Sequence, residues 1–73
     1  MFTFLDVVKW VECMNPVEMN DVMVVEDVSE DFVTVRHLQN NQTSKERDFN
    51  LRFVGRCTPY ENITDIIDRY KDV

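Results

Sequence analysis

The chain has 73 residues, with 14 acidic against 8 basic side chains and a formal net charge of −6. Its length holds one domain, residues 1–73, and its 44% hydrophobic share is too high for a disordered tail. No run of about 18 apolar residues and no charged-then-apolar leader is present, so neither a membrane span nor a signal peptide is predicted, and the expected location is cytoplasmic.

The charge is uneven. Residues 1–31 carry eight acidic side chains against Lys9 alone, whereas residues 32–57 carry five basic against two acidic ones. Net acidity disfavours nonspecific nucleic-acid binding, which depends on neutralising phosphates. It favours encounter with basic protein surfaces. There is no Ala in the chain, and Val dominates the apolar set. Val is stiff at χ1 and fits a pleated surface better than a helix, so a sheet with at most two helices is expected.

In chain order, Thr3 and Asp6 resemble a capping box, with Asp in place of the usual Glu. Thr3, Asp6, Lys9 and Glu12 then fall on one side at helical spacing, and Phe4, Leu5, Val7, Val8, Val11 and Met14 on the other. Asn15-Pro16 is a stop signal. The pattern predicts an N-terminal helix. The alternative is a strand, because Val7, Val8, Trp10 and Val11 all favour pleats. Val22–Val28 reads as a strand, with Val22 and Val24 facing away from Met23 and Val25. A turn at Ser29-Glu30 leads to a second strand, Asp31–Leu38, with Val33, Val35 and His37 on one face. The polar stretch at 39–45 is predicted to be a flexible loop. A third strand is predicted from Lys45 to Cys57, with Phe49, Leu51, Phe53 and Cys57 inward and a wet, basic outer face. Gly55 near its end suggests a bulge or a close packing neighbour. Thr58, Pro59 and Glu61 then read as a helix start, followed by an apolar stripe of Tyr60, Ile63, Ile66, Ile67 and Tyr70.

The expected fold is therefore α+β. It has a three-stranded antiparallel sheet with a C-terminal and an N-terminal helix packed on one face. If the N-terminal segment is a strand, the alternative is a small SH3-like β-barrel with a C-terminal helix.

No constellation in the sequence points to catalysis. His37 is a lone strand histidine, and a base needs a nucleophile and an orienting partner. Ser29 and Ser44 fall in predicted turns, outside any nucleophile motif. Cys13 and Cys57 read as reduced thiols, a disulfide between them being the alternative. There is no metal-ligand spacing and no Gly-rich phosphate loop, so no cofactor is expected. Met14, Met19 and Met23 around Trp10 suggest an adaptable binding patch, or else a small satellite core. The candidate partner contacts are Trp10, Glu18, Asp21, Glu26, Asp27, Glu30 and Asp31. The rival nucleic-acid face is Arg36, Arg47, Arg52 and Arg56, weakened by the inward placement of Phe49 and Phe53.

Short, acidic, Gly-poor and Val-rich, without a signal or a catalytic set, the chain resembles in type the small phage-encoded inhibitors of host nucleic-acid machinery. These include bacterial RNA polymerase inhibitors and anti-CRISPR proteins. The resemblance implies a non-enzymatic regulator that occludes or displaces part of a host protein complex with a basic surface. Two other expectations stand beside it: a direct nucleic-acid-binding regulator, and a structural subunit of an assembly.

Overall fold

The computed structural model describes residues 1–11 and 21–73. The expected Asn15-Pro16 stop, Cys13, Met14, Glu18 and Met19 lie outside the described residues. Five strands form one antiparallel sheet: β1 (Asp6–Trp10), β2 (Met23–Val28), β3 (Val33–His37), β4 (Gln42–Glu46) and β5 (Leu51–Arg56). A 3-10 turn at Asp48–Asn50 precedes β5, and one helix, α1 (Ile63–Tyr70), follows it. The strand order is β4-β3-β2-β1-β5. This corrects the expected three-stranded sheet with an N-terminal helix.

The N-terminal segment is a strand because β1 is an inner strand, buried on both faces. Val7 faces one side and Val8 the other, both with no exposure. A strand covered twice reads as a continuous apolar run and so mimics a helical pattern. The Thr3–Asp6 contact does form. The Thr3 amide donates to Asp6 Oδ2 at 2.8 Å. It closes a turn instead of starting a helix, since Leu5 sits at φ 72°, a left-handed conformation no helix can propagate. Leu5 is held there from two sides. Its amide donates to Val25 O at 2.9 Å, and its carbonyl accepts from the Cys57 amide at 3.1 Å.

The predicted third strand is two strands. The polar 39–45 stretch is the turn of a β3–β4 hairpin and most of β4, with Asn41 at φ 59°. Val35 pairs with Ser44 and Val33 with Glu46. Arg47 and the 3-10 turn then break the alternation. Leu51 is consequently buried, whereas Phe49 and Phe53 are 73% and 55% exposed instead of inward.

Two apolar clusters flank the sheet. On the first face Val8, Met23, Val25, Val33, Val35 and Leu51 pack together, flanked by Phe2 and Trp10. On the second, Val7, Val22, Val24 and Leu38 pack against Ile66 of α1, with Leu5, Val54, Ile67 and Tyr70 around them. Register shifts leave Glu26 of β2 and Val54 of β5 as extra residues. Such bulges bend strands. Next to the second, Gly55 lies directly under the ring of Tyr70, so it meets both expectations for it.

Helix α1 starts later than the Thr58 box suggests. The Thr58 amide donates to Glu61 Oε2 at 2.6 Å, but this closes a preceding turn, and the cap is Asn62, whose Oδ1 accepts from the Thr64 amide at 2.8 Å. The stripe divides accordingly. Ile66 is buried, while Tyr60 stands 94% exposed ahead of the helix. Asn62→Ala is expected to destabilise the domain by about 1 kcal/mol, against a smaller effect of Thr58→Ala; thermal melts of the two variants check the order.

Candidate functional site

The end of the β2–β3 hairpin carries the acidic residues that the sequence singles out. The Ser29 amide donates to Phe32 O at 2.8 Å, and the Ser29 hydroxyl donates to the same oxygen at 3.0 Å, fixing the turn. Asp27, Glu30 and Asp31 are all exposed there. They form no ion pair among the described residues. Beside them lies a shallow pocket of about 100 Å³. Its apolar lining comes from Met1, Phe2, Val28, Phe32 and Val33, and its acidic rim from Glu30, Asp31 and Asp48. Arg47 stacks on the Phe32 ring, 4.5 Å from its centroid. An apolar floor within a carboxylate rim suits a lysine or arginine side chain, whose aliphatic stem and charged head want different surroundings.

Two of the remaining acidic candidates, Glu26 and Asp21, have side-chain partners. Glu26 Oε2 accepts from Arg36 Nε at 3.0 Å. Asp21 Oδ2 lies 2.6 Å from His37 Nδ1. Trp10 is half-buried and packs against the first core cluster, and Met23 is fully buried within it. Glu18 lies outside the described residues.

The rival arginine face is dispersed. Arg36 also donates to Asn41, Arg52 donates to the main-chain oxygen of Val73 at 2.6 Å, and Arg56 pairs with Asp6 at 3.1 Å. Arg47 lies on Phe32 as described. The four arginines therefore have separate partners and do not form one cluster.

The feature that sequence reasoning missed is a polar chain on the first face. His37 Nε2 lies 2.7 Å from Ser44 Oγ, and Ser44 Oγ donates to Glu46 Oε2 at 2.7 Å. With Asp21 on Nδ1, the order Asp21–His37–Ser44 is that of a hydrolase triad. The argument that His37 lacks a nucleophile and an orienting partner therefore fails. The chain continues past the serine, since the Ser44 hydroxyl donates to Glu46 Oε2; which His37 nitrogen donates depends on its tautomer. The Trp10 ring sits 6.2 Å from the His37 ring, and its buried Nε1 has no hydrogen-bond partner among the described residues. A readable signal existed in Asn40-Asn41, a turn-forming pair. A hairpin closed there puts Ser44 and Glu46 on the face of His37.

Cys57 is a half-buried free thiol whose Sγ lies 3.5 Å from Leu5 O; burial and the nearby Glu61 push its pKa up, away from reactive thiolate character. No group of three or more His, Cys, Asp or Glu among the described residues could hold a metal ion. No helix among them is long and apolar enough to cross a membrane. Comparison with protein-family models, curated proteins and solved structures finds no match.

Proposed function

We propose that this protein is a small non-catalytic inhibitor or regulator of the phage-encoded type, which docks its acidic hairpin end onto a basic surface of a bacterial transcription complex such as RNA polymerase. It would act by occlusion or displacement. One observation carries the reading: Asp27, Glu30 and Asp31 are exposed without ion-pair partners among the described residues, beside a pocket with an apolar floor and a carboxylate rim. Unpaired charge steers encounter, and a small pocket with apolar lining supplies an anchor. A host defence complex is the alternative target, since its nucleic-acid groove is basic for the same reason.

The test is a tagged pull-down from bacterial lysate with and without nuclease, comparing the native chain with Asp27→Lys/Glu30→Lys/Asp31→Lys. A stoichiometric, nuclease-resistant partner is expected for the native chain and is lost with the triple variant, whose circular dichroism stays native. Equal recovery by both proteins at low salt sinks the acidic-end mechanism.

A second reading draws on Phe49 and Phe53, whose exposure restores the stacking aromatics that a single-strand-binding face needs. Its weakness is that Arg52 and Arg56 are already engaged. A salt series on labelled single strands decides it: no binding at about 50 mM salt excludes this reading.

A further inference from the structure

Three short hydrogen bonds join four side chains along the first face: Asp21 to His37 at 2.6 Å, His37 to Ser44 at 2.7 Å, and Ser44 to Glu46 at 2.7 Å. Ionised carboxylates at the two ends can only accept. The single hydroxyl proton of Ser44 goes to Glu46. Both ring nitrogens of His37 must then carry protons, one directed at Asp21 and one at Ser44. The chain is complete only around an imidazolium. Around a neutral ring, two protons remain for three contacts, and one pair of atoms is left lone pair to lone pair.

We propose that His37 is a proton-operated fastener: its imidazolium ties the outer strand β4 to Asp21 at the foot of β2, and loss of one proton releases that tie. Imidazole is the side chain whose ordinary charge change falls between about pH 5 and 8. β4 is the element such a tie can control. It is an edge strand whose one ladder neighbour is β3, and its residues are polar and largely exposed. A strand with few buried contacts opens locally at low cost. Among the described residues, the charged groups on the His37 side are Asp21 and Glu46. β1 presents Trp10 there, β2 presents Met23, and β4 also presents Gln42, all uncharged. Arg36 and Lys45 belong to the opposite face by strand alternation, and Arg36 is paired with Glu26.

The sequence supplies its own probe, since the chain has one Trp and one His and their rings are neighbours. A protonated imidazole quenches indole emission. Trp10 fluorescence of the intact chain is therefore followed from about pH 5 to 8, together with amide exchange of β4 corrected for intrinsic rates. A one-proton quenching step on acidification is expected, absent in His37→Gln. β4 amides exchange about tenfold faster on the alkaline side, the equivalent of one charge-assisted hydrogen bond. Ser44→Ala, which leaves the Asp21 contact intact, makes β4 exchange fast at both ends of the range. Quenching that persists in His37→Gln, or β4 exchange indifferent to pH in the native chain, overturns the proposal.

Discussion

Replacing Lys9 by Met is expected to destabilise the protein by about 2–3 kcal/mol, the largest effect of any single substitution considered. Lys9 is 98% buried by accessible area, standing at 2% exposure in the middle of β1. Its Nζ donates to the main-chain oxygens of Tyr70, Lys71 and Val73 at 3.2, 3.1 and 3.1 Å. These oxygens sit at the carbonyl end of α1, where the helix leaves acceptors without internal partners and carries partial negative charge. Tyr70 O also accepts from the Val73 amide and Val73 O from Arg52, so the amine adds a donor to three oxygens and joins the second strand face to the end of the helix. Met keeps the volume and removes every donor. For a domain of this size the loss corresponds to a fall of about 10–20 °C in the melting midpoint, with helical signal lost first.

The same amine sets a pH dependence. Burial lowers its pKa below the usual 10.5, nearby Arg52 lowers it further, and Asp72 partly opposes them. Between the depressed folded value and 10.5, the unfolded chain holds the proton more firmly than the folded one. Stability from this group therefore rises with pH across that alkaline window. Urea midpoints of the native chain should rise there relative to those of Lys9→Met. Parallel curves would show that the amine is not the titrating group.

Gly55→Ala is expected to cost about 1–3 kcal/mol, the range for forcing an extra carbon into a packed site. A methyl group at Gly55 would run into the phenol ring of Tyr70, and the ring is also placed by its hydroxyl, 3.4 Å from Arg56 O. The collision lies between β5 and the last turn of α1, so relief requires the ring to swing away from the second core cluster. A double-mutant cycle isolates the clash. Gly55→Ala combined with Tyr70→Leu should be less destabilised than the sum of the single changes, with a coupling of at least about 0.5 kcal/mol. Strict additivity would place the glycine requirement in its backbone and not in the ring above it.

What the sequence disclosed depended on how many faces each strand buries. β2 and β3 were legible: Val22 and Val24 oppose Met23 and Val25, and Val33, Val35 and His37 share a face, as period-two alternation requires. β1 was misread because Val7, Val8 and Lys9 are all buried, and a strand covered on both sides has no polar beat to betray its period. Lys9 falls with Thr3, Asp6 and Glu12 on the polar side of the expected helix; nothing local indicates that a helix end sixty residues later would receive it. β4 was hidden for the opposite reason, since Gln42–Glu46 is polar on both sides and buries almost nothing. Its register with β3 is what assembles Asp21, His37, Ser44 and Glu46, so missing the strand meant missing the polar chain. The acidic hairpin end was legible, because charge at a turn needs no long-range information.

The position of β1 inside the sheet also has a bearing on synthesis. Its outer neighbour β5 begins at Leu51, which pairs with Trp10, so about forty residues must be added before that edge is covered. Until then a strand rich in valine presents bare main-chain donors and acceptors to whatever lies nearby, the situation in which chains join edge to edge. A ribosome stalled before Leu51, or a shortened version ending there, would release a sticky intermediate instead of a smaller folded protein.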